Sequence, residues 1–385
     1  MITLVALCAV GAEKILAQEI KHLDYTPCGN APGRVVFTAP NEDALFRSNL
    51  CLRTADRVYI QLARFYAEDF DSLFDGIMAV NWQDYFYKDV RVIVDKVRCH
   101  KSKLSSEHSV QKIVHKAIYT KLGEIWRMSV LPESGNENTV RIYIEQNQVL
   151  VLLDLSGEPL NKRGYRTFGG DAPLRETMAA SLLHLMCWRR KTPLHDPFCG
   201  SGTIAIEATL YAYNIAPGFG RHFALENLSI YNAERCLEIK KQEASKIRPD
   251  VTARITGTDI NPEAIERAKI NAEHACVSAG RALQLIGSDM RIQRPDFVTA
   301  DFKILAAPYP EGLILSNPPY GERLGNEKEA EILYHDMAGL FEAFPNWQMG
   351  FITSHLGFER SIGKRATKTK RINCGNLETV FYSFL

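Results

Sequence analysis

The stretch Asp196-Pro-Phe-Cys-Gly-Ser-Gly-Thr-Ile-Ala205 joins a short strand, predicted at residues 193–196, to a helix predicted from residue 202. Its glycines permit a tight turn and a close approach of the backbone, while the first turn of the helix offers N–H groups without partners in the helix. A strand, a glycine loop and a helix in this order are typical of nucleotide-binding α/β folds. Alone, the Gly-x-Gly-x-x-Ala spacing is a weak indication of such a ligand.

Helices and strands alternate on both sides of this loop. We predict helices at 174–190, from 202, at 262–274 and at 328–343, and strands at 193–196, 253–258, 283–286, 312–316 and 348–353. A last antiparallel pair of strands is predicted across residues 373–376. This alternation predicts a doubly wound, mostly parallel sheet, whose ligands bind at the carboxyl ends of the strands.

Acidic and amide side chains follow the strands of this predicted sheet. Asp259 closes the second strand, Asp289 follows the third, and Asn317-Pro-Pro-Tyr320 closes the fourth. Either acid alone has a structural explanation, as a helix cap or a turn residue. A dinucleotide-binding unit would place its acid about 20 residues after the glycines, whereas Asp259 lies 57 residues after Gly202. The whole order instead matches class I methyltransferases that use S-adenosylmethionine, and Asp196, which would repel a pyrophosphate, suits a cationic cofactor.

The Asn317-Pro-Pro-Tyr320 run can hold a flat, amine-bearing base. The side-chain oxygen of Asn317 and the carbonyl of Pro318 can accept two N–H bonds, and the ring of Tyr320 offers a stacking face. Pro318 and Pro319 carry no N–H group, so the carbonyls are presented without competing donors. The plainer interpretation is a turn in which the prolines end the strand. The position directly behind an apolar strand favours the functional interpretation.

Two smaller α+β regions precede a linker at 161–173. Within residues 1–65 we predict strands and helices that alternate and are joined by short connections. This pattern indicates a first domain. Residues 66–160 contain a strand at 89–95, a polar basic loop at 98–106, a helix behind it and a final hairpin. A basic loop and a helix beside a small sheet predict a nucleic-acid-binding module.

The charges of the chain, +1 overall, are unevenly distributed. Residues 88–127 hold ten Lys and Arg against four acids, and residues 359–371 hold six against one. Clustered cations gain affinity for polyanions by releasing counterions from phosphates. For either cluster, a solvated face without a partner is the alternative interpretation.

Composition narrows the protein class. With 46% hydrophobic and 24% charged residues, 385 residues predict a globular chain of two or three domains. No apolar run approaches the roughly 20 residues that span a bilayer, so we expect no membrane association. The nine cysteines form no Cys-x-x-Cys pair, which predicts reduced thiols, a cytoplasmic location and no metal site. The sequence leaves the oligomeric state open.

At its motifs the chain resembles the THUMP-domain class I RNA guanine-N2 methyltransferases, in particular the N-terminal half of the bacterial enzyme of this family that acts on 23S rRNA. The resemblance is carried by Arg163-Gly-Tyr-Arg166, Ala172-Pro-Leu-Arg-Glu176, Asp196-Pro-Phe-Cys-Gly-Ser-Gly-Thr203, Gly257-Thr-Asp-Ile260 and Asn317-Pro-Pro-Tyr-Gly-Glu-Arg-Leu-Gly325. It implies a ferredoxin-like domain at 1–65, a THUMP RNA-binding domain at 66–160 and a Rossmann-like methyltransferase domain at 161–385 with an antiparallel last strand. Because the chain stops at Leu385, the resemblance leads us to expect no second methyltransferase domain and a single activity.

The resemblance also implies roles for individual residues. Asp259 would take the ribose hydroxyls, Asp289 the adenine amine and the glycine loop the methionine portion of S-adenosylmethionine. The implied cofactor-binding residues are Phe168, Asp196, Phe198, Cys199, Gly200, Ser201, Gly202, Thr203, Asp259, Ile260, Ser288, Asp289 and Met290. The implied catalytic residues are Asn317, Pro318, Pro319 and Tyr320. The expected RNA-binding residues are Lys96, Arg98, Lys101, Lys103, Lys112, Lys116, Arg163 and Arg166.

The expected reaction is methyl transfer from S-adenosylmethionine to the exocyclic N2 of a guanosine in RNA, with 23S rRNA as the leading candidate. A tRNA guanosine is one alternative substrate. A second alternative is N6 methylation of adenine in DNA, whose enzymes share Asn-Pro-Pro-Tyr, although the basic N-terminal regions favour RNA. A third is a non-catalytic RNA-binding assembly factor, which is disfavoured because no motif position is visibly damaged.

Overall fold

The computed structural model describes residues 1–166, 173–248, 251, 254–320, 327–375 and 377–385. The first of its two sheets has the strand order β2-β3-β1-β4-β7-β6-β5. Its strands are β1 (Ile2–Leu7), β2 (Thr26–Ala31), β3 (Arg34–Ala39), β4 (Arg57–Tyr66), β5 (Arg91–His100), β6 (Glu137–Glu145) and β7 (Gln148–Asp154). Because β4 pairs with β7, the two N-terminal regions share one continuous sheet.

One face of this first sheet packs against four helices. They are α1 (Glu13–His22), α2 (Asp43–Cys51), α3 (Phe70–Met78) and α4 (Glu107–Trp126). The side chains of Asp69 and Ser106 cap α3 and α4 by accepting backbone N–H bonds. The opposite face, called the outer face below, carries Val5, Tyr59 and Leu152. Their burial there shows that longer side chains cover the outer face.

The second sheet has the strand order β10-β9-β8-β11-β12-β14-β13. Its strands are β8 (Leu194–Asp196), β9 (Ile255–Asp259), β10 (Asp296–Thr299), β11 (Leu313–Ser316), β12 (Gln348–Thr353), β13 (Lys368–Cys374) and β14 (Leu377–Phe384). Strands β8 to β12 pair in parallel, whereas β14 is antiparallel to both β12 and β13. This arrangement confirms the predicted fold class of a doubly wound sheet with an antiparallel last strand.

Helices cover the second sheet and direct its loops. They are α5 (Glu176–Leu185), α6 (Thr203–Ala212), α7 (Ala233–Ala244), α8 (Pro262–Gln284), α9 (Glu327–Met337), α10 (Leu340–Ala343) and α11 (Phe358–Ser361). Parallel strands end at the same edge of a sheet, so the segments after β8, β9, β10 and β11 meet there. None of the helices within the described ranges is both long and apolar enough to cross a membrane.

The prediction of a strand at 283–286 is wrong. Helix α8 extends ten residues beyond its predicted end at 274 and includes Leu283 and Gln284. Alanines at 275, 279 and 282 keep one buried face along this extension, and alanine has the highest helix propensity. The third strand is instead β10, whose Phe297 is buried. Residues Ser288 to Met290 therefore do not follow a strand.

Smaller differences concern element ends. The helix predicted at 174–190 ends at Leu185, and the one predicted at 328–343 is divided into α9 and α10. Strand β2 was not predicted, because its Thr-Pro-Cys-Gly-Asn-Ala sequence contains Pro27 and Gly29. Proline and glycine are tolerated in such a strand because it lies at the edge of the sheet.

Candidate functional site

The glycine loop lies at the carboxyl edge of the second sheet. Gly202 caps α6 with a left-handed φ of +82°, which glycine adopts without strain. A Cβ atom at Gly202 would lie 2.7 Å from the ring of Phe297, so the loop packs closely over the sheet at this point. At Gly200 a Cβ atom would meet nothing within 4 Å. The loop therefore leaves open space beside its backbone, where a ligand can approach.

Asp259 is joined directly to this loop. Its Oδ2 accepts the backbone N–H of Gly200 at 2.9 Å, and its Oδ1 accepts that of Asn261 at 2.9 Å. The N–H of Cys199 in turn donates to the carbonyl of Thr258, at 2.9 Å. The structure thus brings the glycine loop and Asp259 together. Ile260 follows with 72% of its surface exposed and adds an apolar face beside the acid.

The acid before the glycines is buried and connects the loop to the fourth strand. Asp196 is 2% exposed, and its Oδ1 accepts the N–H of Phe198 and the hydroxyl of Ser316. Burial raises the pKa of Asp196 to about 7 and nearby Asp259 acts in the same direction, whereas the two hydrogen bonds oppose the rise. Since Ser316 precedes Asn317, the predicted acceptor motif lies beside the predicted cofactor loop.

The Asn-Pro-Pro-Tyr motif is hydrogen-bonded to a buried tyrosine and contains a buried acceptor without a partner among the described residues. The hydroxyl of the fully buried Tyr334 donates to the carbonyl of Pro319 at 3.3 Å and lies 2.9 Å from the hydroxyl of Thr353. Oδ1 of Asn317 is buried, and no described residue donates a hydrogen bond to it. A buried acceptor without a partner costs about 1 to 3 kcal/mol. It is therefore a site at which a donor N–H from a ligand would bind favourably.

A cavity of about 1140 Å³ opens beside this motif. Pockets for drug-sized ligands have volumes of about 300 to 1,000 Å³, so this cavity is large enough for a nucleotide. Its lining comes from four parts of the chain: Cys8, Ala9, Val10 and Asp56; Pro173, Leu174, Arg175, Thr177 and Met178; Asn317, Tyr320 and Ser354; and Asn373, Cys374, Gly375 and Leu377. The cavity therefore lies between the first domain and the carboxyl edge of the second sheet.

The remaining predicted cofactor residues surround the loop to different degrees. The ring of Phe198 lies 5.0 Å from that of Phe302, and burial raises the pKa of the Cys199 thiol so that it stays neutral. The carbonyl of Ser201 accepts a bond from Asn271 at 3.1 Å. Phe168 lies outside the described residues. Within the described ranges, no three His, Cys, Asp or Glu side chains group as metal ligands.

The predicted cofactor role of Ser288, Asp289 and Met290 is wrong. Helix α8 begins at the carboxyl edge and runs back across the sheet, so the residues that follow it lie at the opposite edge. The N–H of Gln293 accordingly donates to the hydroxyl of Tyr213, which ends α6 far from the glycine loop. Asp289 is an exposed residue in this turn and cannot reach a ligand at the glycine loop.

Asp301 occupies the place that was predicted for Asp289. It follows β10, and the N–H of the preceding Ala300 donates to the carbonyl of Asp259 at 3.1 Å. Its carboxylate accepts the N–H of Lys303 at 3.0 Å. Sequence reasoning missed Asp301 because the short strand before it was overlooked, although an aromatic residue followed by two β-branched residues at 297–299 is a strand signal.

Six of the predicted RNA-binding residues are exposed, on two different surfaces. Lys96 and Arg98 extend from the outer face of the first sheet, opposite Arg141 and Tyr143 of β6, whereas Lys112 belongs to α4 on the other face. Two of the six are ion-paired, Arg98 with Glu107 and Lys103 with Glu68. Lys101 lies in the loop and Lys116 on α4, both exposed.

Arg163 does not lie on an RNA-binding surface, and this prediction is wrong. Its residue surface is only 4% exposed, and its guanidinium donates to the carbonyls of Leu160 and Arg53. Its Nε atom lies 3.6 Å from the carboxylate of the fully buried Glu207. A buried guanidinium that is engaged by these groups cannot reach an RNA phosphate.

Arg166 is likewise engaged inside the protein. Its Nη2 donates to the hydroxyl of Thr203 at 2.9 Å and to the carbonyl of Leu174 at 3.3 Å, and lies 3.2 Å from Glu176. The side chain therefore joins the linker to the first residue of α6. This arrangement supports the glycine loop and contradicts the predicted contact with RNA.

A basic groove of about 410 Å³ runs along the outer face to the cavity. Its cationic side chains are Arg34, Arg57, Lys96, Arg141, Lys162 and Arg175, of which Arg34, Arg57, Arg141 and Lys162 form ion pairs. The groove and the cavity share Cys8, Asp56 and Arg175 in their linings, so they are continuous. Among the described residues, the guanidinium of Arg175 has no ion-pair or hydrogen-bond partner. The sequence showed the basic loop but not this groove, whose cations come from separate strands.

Three family models match consecutive parts of the chain. The RlmL ferredoxin-like domain matches residues 3–59, the THUMP domain matches residues 67–154, and the RMKL-like methyltransferase domain matches residues 163–383. A relative from Bacillus subtilis, named "Putative RNA methyltransferase YpsC", is 38% identical over 391 residues, covering 99% of this chain and 95% of the relative. These matches confirm the resemblance inferred from the motifs.

Solved structures of related proteins are similar over the whole chain. SMU.472, described as "a putative methyltransferase complexed with SAH", has a TM-score of 0.88 and 34% identity, with 100% of this chain and 97% of that chain covered. A protein from Listeria monocytogenes, described as a predicted N6-adenine-specific DNA methylase, has a TM-score of 0.88 and 36% identity, with 100% and 96% covered. SAH is S-adenosylhomocysteine, which is S-adenosylmethionine without the methyl group that is transferred. The chain therefore belongs to the THUMP-containing family of RMKL-like methyltransferases, and its cofactor is S-adenosylmethionine.

Proposed function

We propose that this protein methylates the exocyclic N2 of a guanosine in RNA, with 23S rRNA as the first substrate to test. The observation that carries the proposal is the buried, unpartnered Oδ1 of Asn317 beside a nucleotide-sized cavity. An amine N–H of a base would satisfy this acceptor. The name of the Bacillus subtilis relative and the THUMP domain support RNA as the carrier of that base.

The acceptor residues act mainly by positioning. Bound S-adenosylmethionine supplies a methyl group on a positively charged sulfur, which is already a strong electrophile. An exocyclic amine is a weak nucleophile because its lone pair is delocalised into the ring. Oδ1 of Asn317 and the carbonyl of Pro318 would accept its N–H bonds, orient the lone pair and stabilise the positive charge that develops on nitrogen. Tyr320 would stack on the base after it has left its helix.

The cofactor side uses the strand-end acids. Asp259 lies at the glycine loop, where a ribose diol could be bound, and Ile260 offers an exposed apolar face. Asp301 replaces Asp289 as the candidate for the adenine amine, since it follows the strand next to Asp259. The carboxylate of Asp196 would face the cationic methionine portion. The open space at Gly200 fits a ligand that passes between these acids.

The basic groove is the proposed route of the RNA strand. Lys96, which was expected to bind RNA, lies in it with Arg34 and Arg141. Arg175 stands where the groove meets the cavity, without an anionic partner among the described residues, and would bind a phosphate beside the target nucleotide. Phosphate contacts of this kind position a strand without reading its sequence.

Mass spectrometry of nucleosides tests the proposal directly. The purified protein is incubated with S-adenosylmethionine carrying a deuterated methyl group and with 23S rRNA, total tRNA or genomic DNA in separate reactions. We expect deuterated N2-methylguanosine in an RNA and in no DNA digest. Product in tRNA alone would keep the chemistry and change the carrier, whereas no labelled guanosine in any RNA would refute the proposal.

DNA adenine is the second candidate, favoured by the description of the Listeria monocytogenes protein. Adenine also presents an exocyclic amine that Asn317 could hold. The same experiment separates the two candidates, since label confined to N6-methyladenine in DNA would support this alternative.

Asp259→Ala is expected to weaken binding of S-adenosylhomocysteine by about 1 to 3 kcal/mol, because a polar contact to the ribose is lost. Isothermal titration calorimetry measures the change. Asp289→Ala is the matched control and should leave the affinity unaltered, since Asp289 lies at the other edge of the sheet. An Asp259→Ala protein with wild-type affinity would remove Asp259 from the cofactor site.

Cofactor binding is expected to depend on pH through Asp196. Its pKa is raised to about 7 in the cofactor-free protein, and a cationic ligand favours the ionised form. Affinity should therefore be highest above pH 7 and fall as the pH drops through this value, by about tenfold between pH 8 and pH 6. Calorimetry with S-adenosylhomocysteine at both pH values tests this, with Asp196→Asn as the control that should show no such dependence. Equal wild-type affinities at pH 6 and pH 8 would contradict the assignment.

A further inference from the structure

The first domain completes the wall of the cavity beside the Asn-Pro-Pro-Tyr motif. Asn317 and Tyr320 share this cavity with residues of the first domain, including Asp56. No motif of the methyltransferase domain contains Asp56, which precedes Asn317 by 261 residues. The first domain therefore contributes an acidic side chain to the cavity in which the base would be methylated.

Asp56 is fixed by three separate parts of the chain. Its N–H donates to the carbonyl of Leu7 at 2.7 Å, and its own carbonyl accepts the N–H of Leu160 at 2.8 Å. Its Oδ1 accepts the hydroxyl of Thr177 at 2.7 Å. No residue in the described ranges donates a hydrogen bond to Oδ2 or forms an ion pair with the carboxylate. The structure thus presents a positioned carboxylate with a free acceptor oxygen at the cavity.

We propose that Asp56 selects guanine by accepting its N1–H. This inference rests on the proposed N2-guanosine activity. Along the Watson–Crick edge of guanine, the N1–H donor lies next to the N2 amine that Asn317 would hold. An ionised carboxylate only accepts hydrogen bonds, so it pairs with this donor. Adenine has a lone pair at N1, which the same carboxylate would repel.

The Asn-Pro-Pro-Tyr motif and Asp56 would recognise different groups of the base. Asn317 and Pro318 would hold any exocyclic amine, which explains why Asn-Pro-Pro-Tyr serves both guanine and adenine chemistry. Asp56 adds the discrimination between them, because unpaired buried polar groups penalise a base of the wrong hydrogen-bonding pattern. Thr177 acts as a positioning residue, since its hydroxyl holds Oδ1 and leaves Oδ2 for the donor on the base.

The test uses two RNA oligonucleotides that span the guanosine methylated by the wild-type protein. One carries guanine at the target position, and the other carries 2,6-diaminopurine, which keeps the 2-amine but has an acceptor at N1. Wild-type kcat/KM should favour guanine by roughly 5- to 150-fold, the range for one good base contact. The Asp56→Asn protein can donate an N–H to the acceptor at N1, so this preference should disappear or reverse.

Controls separate selection from folding. Binding of S-adenosylhomocysteine and the midpoint of thermal unfolding show whether Asp56→Asn is intact. A variant that loses the same factor on both oligonucleotides would give Asp56 a structural role and overturn the inference. If Asp56→Asn fails to fold, the wild-type protein still decides, since equal rates on guanine and 2,6-diaminopurine would show that N1–H is not read. If the wild-type protein forms no N2-methylguanosine in any RNA, the proposed function fails, and the inference fails with it before any variant is compared.

Discussion

Asn317→Ala is expected to reduce turnover by about 100-fold or more, the effect of removing one oriented polar group from a reaction centre. Oδ1 of Asn317 is buried and receives no hydrogen bond from the described residues, so the substrate amine would supply the donor that this acceptor lacks. Affinity for S-adenosylmethionine should be nearly unchanged. The reason is that Ser316, not Asn317, contacts Asp196.

Single-turnover rates at saturating RNA and cofactor measure the effect of Asn317→Ala on the methyl-transfer step. Calorimetry with S-adenosylhomocysteine measures the cofactor side separately. Asn81→Ala is a matched control, since the side chain of Asn81 is exposed and caps no helix, and it should retain the wild-type rate. An Asn317→Ala protein that loses cofactor affinity but keeps its rate per bound complex would show that Asn317 belongs to the cofactor site.

Local patterns were enough to predict that the glycine loop and the acid after the next strand lie close together. A glycine turn before a helix and an acid directly after an apolar strand depend on backbone geometry within a few residues. For this reason the glycine loop and Asp259 occur together as expected, at 2.9 Å from each other. The fold class followed from the alternation of helices and strands, which also depends on short segments.

Predictions failed where a short apolar run fits two structures. Leu283-Gln-Leu-Ile286 could end a helix or form a strand, since four residues do not show a period. The buried alanine face of α8 continues into this run, so the helix ends within the run. The true strand, β10, has only four residues and gains its stability from pairing with β9. One misplaced strand then assigned the cofactor role to Asp289 in place of Asp301.

Contributions across domains were beyond reach of sequence patterns. Asp56 lines the cavity because the first domain packs against the end of the second domain, through Leu160, and against α5, through Thr177. The basic groove gathers Arg34, Lys96 and other cations from strands far apart in sequence. Tertiary packing also decides whether an arginine is exposed. The sequence alone did not show that Arg163 is buried, so it was expected to bind RNA.

Arg163→Ala is expected to lower the free energy of unfolding by about 3 to 5 kcal/mol, the cost of breaking a buried ion pair by removing one partner. The guanidinium donates hydrogen bonds to the carbonyls of Leu160 and Arg53 and lies beside the carboxylate of Glu207. Its loss leaves both carbonyls without this donor and the carboxylate without this cation. Urea unfolding measures the change. Lys101→Ala is the control, because an exposed loop residue should alter stability by no more than about 0.5 kcal/mol.

The destabilisation by Arg163→Ala should also grow with pH. Burial raises the pKa of Glu207 and Arg163 opposes this rise, so removing Arg163 raises the pKa further. A carboxyl whose folded-state pKa is raised stabilises the folded protein while protonated and loses that contribution as the pH rises. The loss of stability should therefore be larger at pH 8 than at pH 5. If Arg163→Ala instead unfolds like the wild type and binds RNA more weakly, Arg163 would have to leave the interior in solution, and its original interpretation as an RNA-binding residue would be correct.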